Sequence, residues 1–253
     1  MGSLSNAEGR QLRRCGRVAF FGGSFDPPHL GHLGVARAAQ AALGLDLVLF
    51  APVGAQPLKP QGTVASFADR LAMTRLAIAS EPVFDLSLAD APKSSGAPNY
   101  TLETLQALRT ELPPESSVFC LMGADSFAGF SRWHRAAEIP FLAPLIVASR
   151  PSESQWLQYG LQSALPDGLT MEAVPAPDTV ESGVDLRRYT LRNPAGQQAP
   201  FYLLPGLHIE ISASQIRDQI RNQVLPSAAA PKSDPALLPP PVLEYILAHN
   251  LYR

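Results

Sequence analysis

A doubly wound α/β fold, with a mostly parallel sheet and helices on both faces, is the class this sequence predicts. Three observations point to it. Short apolar, β-branched runs alternate with amphipathic stretches along residues 17–149, the pattern of parallel strands joined by crossover helices. The first apolar run ends in a glycine- and proline-rich segment, where such sheets bind ligands beyond the carboxyl ends of their strands. The chain has 253 residues, 46% of them hydrophobic, at a formal net charge of −2, which suits a globular protein with a large core.

The elements follow in order. "RVAFFG" (17–22) is aromatic, β-branched and stopped by glycine, so it reads as a buried strand. "GHLGVARAAQAALGL" reads as a helix ended by Gly44, and "DLVLFAPV" (46–53) as the next strand. "SFADRLAMTRLAIAS" (66–80) is a helix capped by Ser66, with Leu71, Arg75, Ile78 and their neighbours at helical spacing. "TLETLQALRT" is another helix; "SVFCLMG" (117–123) and "APLIVAS" (143–149) are strands. "PVLEYILAHNLY" (241–252) supplies a terminal helix, part of a small C-terminal helical region.

Residues 1–16 lack an apolar signal core and read as a disordered lead-in; Asn6 breaks the myristoylation pattern. Residues 17–253 are expected to form a single domain. Within it, 152–200 is polar and weakly periodic, an insertion expected to hold little regular structure. Residues 226–241, "PSAAAPKSDPALLPPP", read as an extended surface linker.

Charge and cysteine usage narrow the function classes. Near-neutrality leaves no basic footprint for nucleic acid or an anionic membrane, so neither is an expected partner. A small anion held by a few placed cations remains allowed. No apolar run reaches membrane-spanning length. Cys15 and Cys120 are the two cysteines, too few for a disulfide framework or a thiolate cluster, and a reducing cytoplasm is the natural setting.

The segment "GGSFDPPHLGH" (22–32) carries the chemistry. Backbone N–H groups of the Gly22-Gly23-Ser24 turn can approach a phosphate closely, and the N-terminus of the helix starting near Gly31 favours an anion. His29 and His32, three apart, face one side of a helical turn as phosphate donors. The rival readings are a zinc-binding His-x-x-His pair, for which no third ligand is evident, and a turn whose histidines only cap a helix. The segment is neither a Walker A loop nor GxGxxG. At the other end, "ISASQIR" (211–217) has the form of a capping box, with Ser212 at the N-cap and Gln215 three residues on. Ile216 and Ile220 would face the core, leaving Arg217 beside the helix N-terminus. Read alone, this is an ordinary capped helix with a solvated arginine.

Together the two segments resemble the paired signatures of the nucleotidylyltransferase superfamily, GxFxPxHxGH and ISxSxxR or ISxTxxR. Further stretches are similar to its nicotinate-nucleotide adenylyltransferase branch: "APVGAQPLKP" (51–60) with the basic Lys59, "APNYTLETL" (97–105), "LMGADSFAGFSRWHR" (121–135), "LIVASRP" (145–151) and the terminal helix. The resemblance covers roughly 17–150 and 201–253. It implies a Rossmann-like fold and adenylyl transfer from ATP, with Mg²⁺, to nicotinate mononucleotide, giving deamido-NAD and pyrophosphate. Other acceptors, nicotinamide mononucleotide or phosphopantetheine, and a non-catalytic nucleotide sensor are the alternatives. Oligomerisation stays open.

Residue by residue, the resemblance assigns phosphate chemistry to His29, His32, Lys59 and Arg217. It assigns nucleotide binding to Gly22, Gly23, Ser24, Phe25, Gly31, Gly123, Asp125, Ile211, Ser212 and Ser214, with Asp125 on a ribose. Tyr100, Thr101, Trp133 and His134 fall to the acceptor. Each has a bland counterpart: Trp133 as a core aromatic, Asp125 as a helix N-cap with Ser126, Tyr100-Thr101 as a simple helix start. Cys120, inside an apolar strand, is inert packing.

Overall fold

The computed structural model describes residues 16–58, 61–149, 160–175, 185–207, 212–222 and 237–253. Lys59 and Ile211, like most of the lead-in and of the proline-rich stretch, lie outside the described residues.

The strands are β1 (Arg17–Gly23), β2 (Leu47–Pro52), β3 (Phe84–Leu86), β4 (Ser117–Gly123), β5 (Leu145–Ala148), β6 (Thr170–Val174), β7 (Arg187–Arg192) and β8 (Gln198–Leu204). They form one eight-stranded sheet in the order β3-β2-β1-β4-β5-β8-β7-β6. The pairings from β3 across to β8 are parallel, and β8-β7-β6 continue antiparallel. The order reverses between β1 and β4, where a doubly wound sheet opens a crevice at its carboxyl edge.

Helices α1 (Leu30–Leu43), α2 (Phe67–Ile78), α6 (Ala213–Arg221) and α7 (Pro240–Ala248) cover one face. The other is covered by α3 (Thr101–Glu111), α4 (Ala124–Phe127) and α5 (Ile139–Leu142). Strand alternation assigns the layers: Val18 and Phe20 of β1 join the α3 side, whereas Ala19 and Phe21 join the α1 side. Both layers are dry, with Phe20, Leu47, Phe127 and Ile146 at 1% exposure or less, and this burial is the main favourable term in folding.

Local chemistry sets the element ends. Gly44 closes α1 in the left-handed region at φ 57°, where a Cβ would be strained. Ser66 caps α2 by accepting from the Asp69 N–H at 3.1 Å. Ser212 caps α6, its hydroxyl accepting from Gln215 N–H at 3.2 Å, and Ile216 and Ile220 are buried as the spacing requires.

One expectation is corrected, and two features were not foreseen. Within the 152–200 stretch, the described residues 160–175 and 185–200 are not structureless: β6, β7 and the start of β8 extend the sheet, with Leu191 and Phe201 fully buried. An antiparallel edge ribbon open on one face needs few apolar residues, which hid it. The inner face of α2 is built from Arg70, Met73, Thr74, Ala77 and Ile78, with Arg75 exposed. Short β3, three residues long, had no periodic signal to show.

Candidate active site

At the crevice between β1 and β4 lies a cavity of about 720 Å³. Its first wall is the turn after β1. Gly22 and Gly23 are still paired with β2, opposite Ala51 and Pro52, so they end the strand rather than form the turn expected of them. Gly22 has no space for a side chain, because a Cβ there would lie 2.8 Å from the Phe20 ring. The turn proper runs through Ser24, Phe25 at φ 47° and a cis Asp26–Pro27 bond.

Asp26 is the knot of this turn. Its carboxylate accepts from Val64 N–H (2.7 Å), Ala65 N–H (3.1 Å) and the Tyr252 hydroxyl (2.7 Å). Its carbonyl accepts from Arg217 Nη1 at 2.7 Å. Burial, the Asp26 charge and the hydrogen bond from its own hydroxyl to the Asp26 carboxylate hold the Tyr252 phenol well above its ordinary value, so it is a fixed donor. From below, buried Arg70 donates to the carbonyls of Ser24 (2.7 Å) and Val53 (2.8 Å). Desolvation lowers the Arg70 pKa, partly offset by the Asp26 charge.

His29 and His32 stand at the N-terminus of α1, His29 as its N-cap. The His29 N–H donates to His32 Nδ1 at 3.2 Å, so the neutral His32 ring carries its proton on Nε2 as a donor. The two rings stack at 3.7 Å, and His32 meets the Phe25 ring at 4.9 Å. The helix N-terminus is less open than its sequence implied. Leu30 N–H donates to Leu237 O (3.1 Å), and His32 and Leu33 N–H both go to His29 O. Gly31 keeps the first-turn amide that has no acceptor among the described residues. Zinc ligation by the histidine pair gains nothing here, since no group of three or more His, Cys, Asp or Glu suited to a metal occurs among the described residues.

The second wall is α6. Arg217 also reaches Ser214 Oγ at 3.2 Å, which fixes its guanidinium between the N-terminus of α6 and the turn after β1. Ser212, Ser214 and Arg217 all line the cavity; Arg217 is tied at both ends rather than solvated.

The third wall joins α3 to the β4–α4 junction. Tyr100 is the N-cap of α3 and Thr101 its first residue. Thr104 N–H is bonded to Tyr100 O at 3.1 Å, while those of Thr101, Leu102 and Glu103 have no acceptor among the described residues. The Tyr100 ring lies 4.4 Å from that of His134. Half-buried Trp133 packs edge-on against Phe130 at 5.5 Å and lines the cavity, so it serves core and cleft together. Gly123, not Asp125, is the N-cap of α4; Asp125 is exposed, lines the cavity and accepts from Ser126 N–H at 2.8 Å.

The floor holds Asp90, which nothing in the sequence marks. It is 4% exposed, and burial raises its carboxyl to about 6, against the lowering by the Thr104 hydrogen bond and by Lys93. Neighbouring Cys120 is pushed up to about 12 by burial and then by the Asp90 charge, an inert thiol as expected. The sequence also gave no sign of Arg70 or Tyr252, because neither an inward arginine on a helix nor a C-terminal tyrosine breaks a local pattern.

The chain as a whole matches known proteins. A family model described as cytidylyltransferase-like matches residues 20–219. The sequence called "Probable nicotinate-nucleotide adenylyltransferase" from Dechloromonas aromatica is 38% identical over 93% of this chain and 97% of its own. Its namesake from Sodalis glossinidius is 35% identical over the same shares. Among solved structures, Plasmodium falciparum nicotinic acid mononucleotide adenylyltransferase complexed with NaAD aligns at a TM-score of 0.59. That alignment has 16% identity and covers 93% of this chain and 97% of the other; at that identity it speaks for the fold. The turn after β1 and the capped arginine helix thus sit in a sequence that follows these relatives over most of its length, and the chain belongs to the cytidylyltransferase-like family and, within it, to the nicotinate-nucleotide adenylyltransferases.

Proposed function

We propose that this protein transfers the adenylyl group of ATP to nicotinate mononucleotide, forming deamido-NAD and pyrophosphate. One observation carries the reading: a single cavity is lined by His29, His32 and Arg217, from the α1 and α6 side of the sheet, and by Tyr100, Thr101 and Trp133, from the α3 side. A phosphate-binding end and an aromatic end in one space suit two nucleotides meeting through phosphates.

The nucleophile is the 5′-phosphate of the acceptor, already an anion near neutral pH because its second pKa is about 6. Its oxygen attacks the α-phosphorus of ATP, the bond to the bridging oxygen breaks, and pyrophosphate leaves with that electron pair. No protein base is needed. The work left to the chain is alignment and neutralisation of charge on the transferring group. His32 Nε2–H donates to an α-phosphate oxygen as charge grows there, His29 supports it, and Arg217 presents two N–H groups to the triphosphate. Lys59 is assigned to the same phosphates on the resemblance alone. Ser212, Ser214, Ile211 and Asp125 fall to the nucleotide.

At the aromatic end Trp133 and Tyr100 stack on the pyridine ring. The open amides at the start of α3 receive its carboxylate, where the helix dipole favours a negative group. Mg²⁺ bound with ATP would be held mostly by phosphate oxygens and water and would offset charge on the phosphates, while among the described residues no group of three or more His, Cys, Asp or Glu suited to a metal occurs. No helix of the described residues is long and apolar enough to cross a membrane, and we place the reaction in the cytoplasm.

The test is pyrophosphate release from ATP with nicotinate mononucleotide, nicotinamide mononucleotide or phosphopantetheine as sole acceptor. The expected result is turnover with the first at least tenfold above the others in kcat/KM. Equal or greater turnover with either alternative overturns the acceptor assignment; binding of ATP without release from any acceptor overturns catalysis.

A further inference from the structure

Asp90 is a buried, charged group of the cavity floor that the reaction above does not use. We propose that Asp90 is the counter-charge of the acceptor's pyridinium ring, and so a specificity-determining residue for cationic over neutral pyridine nucleotides. The inference rests on the acceptor being nicotinate mononucleotide, whose ring nitrogen carries a fixed positive charge through its bond to ribose.

Geometry places the carboxylate between the two ends of the cavity. On one side the Thr104 hydroxyl donates to Asp90 Oδ1, and Thr104 lies one turn beyond Tyr100 on α3. On the other, a Cβ at Gly22 would lie 3.6 Å from Asp90 Oδ2, so this oxygen faces the strand end that leads into the phosphate-binding turn. Along the mononucleotide the ring nitrogen likewise lies between carboxylate and phosphate. An acceptor with its carboxylate at the first turn of α3 and its phosphate at His29 and His32 carries its positive nitrogen past Asp90.

The backbone holds the group there. Gly54 N–H donates to Asp90 O at 2.7 Å, and Gly54 is packed so closely that a Cβ would lie 2.4 Å from Pro92 N. Asn99 braces the same loop, donating to Ala91 O and accepting from Ala55 N–H, each at 3.0 Å. Among the described residues no Lys, Arg or His forms an ion pair with Asp90; its neighbour Lys93 pairs with Glu103 at 2.9 Å. A buried carboxylate held rigidly without a cation is costly unless a cation arrives. A pyridinium supplies one, and its aromatic neighbours attract the same charge through their ring faces.

The experiment compares two ligands that differ in ring charge: nicotinate mononucleotide and its 1,4-dihydropyridine form, which keeps the carboxylate, ribose and phosphate. Dissociation constants are measured by calorimetry for the wild type and Asp90→Asn, with ATP as control. The wild type should bind the cation about tenfold more tightly than the neutral form, the scale of a partly screened charge pair. Asp90→Asn should narrow that preference to about twofold, with ATP unchanged. An unaltered preference in the variant overturns the proposal. In the wild type alone, the preference should shrink as pH falls from 8 to 5 and Asp90 takes up a proton. The phosphate, common to both ligands, cancels from the ratio. The groups facing Asp90 are Lys93 on its own loop, Thr104 on α3 and Cys120 on β4, whose thiol stays protonated throughout. A preference constant with pH overturns the proposal as well. No turnover of nicotinate mononucleotide by the wild type overturns the reading on which it rests; turnover with an unchanged preference in Asp90→Asn overturns the Asp90 assignment alone.

Discussion

The two ends of the cavity are built on opposite plans. At the phosphate end nearly every polar group is already engaged inside the protein. His32 Nδ1 is held by His29 N–H, Arg217 by Asp26 O and Ser214, and most first-turn amides of α1 by other carbonyls. At the acceptor end the first three amides of α3 and one oxygen of Asp90 have no bonded partner among the described residues. Rigid donors at the first end suit charge that develops in a transition state, because no reorganisation is needed then. Open groups at the second suit discrimination between ground-state ligands, since an unsuitable one leaves them unmet. Rate should therefore be lost at one end and selectivity at the other.

The largest effect is expected from His32→Ala, which removes the donor proposed for the transferring phosphate. Turnover at saturating substrates should fall by about 10²–10³ with ATP affinity little changed; steady-state kinetics with direct ATP titration would check it, and a normal kcat breaks the contrast at its strongest point.

Next is a stability effect at the acceptor end. Burial raises the Asp90 carboxyl in the folded protein to about 6, so folding favours its protonated form. The contribution is neutral below about pH 4, grows into a penalty between about pH 4 and pH 6, and levels off above that at on the order of 3 kcal/mol at most. Asp90→Asn should accordingly melt higher than the wild type at pH 8 and close to it at about pH 3.5. Equal melting temperatures at both would show that the buried charge costs nothing.

Arg217→Lys comes third. An ammonium cannot reproduce two N–H groups bridging Asp26 O, Ser214 and the triphosphate, and kcat/KM for ATP should drop about tenfold while acceptor preference stays unchanged. Smallest is Tyr252→Phe. One hydrogen bond to a carboxylate that keeps two backbone donors should cost about 1.5 kcal/mol in denaturant unfolding, with kcat inside about threefold. A much larger loss of kcat would make the C-terminal tyrosine part of the rate-setting end.

How much of this was legible depends on whether the physics is local. Strands β1, β2, β4 and β5, the Ser66 and Ser212 caps and the Gly44 stop all announce themselves within a few residues. The motif residues of 22–32 and 212–217 do so as well, because their glycines, histidines, serines and arginine stand together within a few residues. Arg70, Asp90 and Tyr252 were invisible for the opposite reason. Each owes its role to partners brought by folding from elsewhere, and a lone inward charge leaves no trace in periodicity. The ribbon β6–β7 was missed because a half-exposed strand such as "RRYTLR" alternates only weakly, and the sheet edge it completes lies outside its own sequence.

Asp26 has a consequence for the order in which the molecule assembles. Its bonds to Arg217 and Tyr252 close separations of 191 and 226 residues, whereas β1 and β2 pair across a single helix. Closing long loops costs entropy that nearer contacts need not overcome. The parallel sheet can therefore form while the turn after β1 is still unbraced, and this turn takes its final shape when α6 and the last residues dock. During refolding, far-UV ellipticity should recover before adenylyl transfer does, because the site is finished by the part of the chain farthest from where it begins.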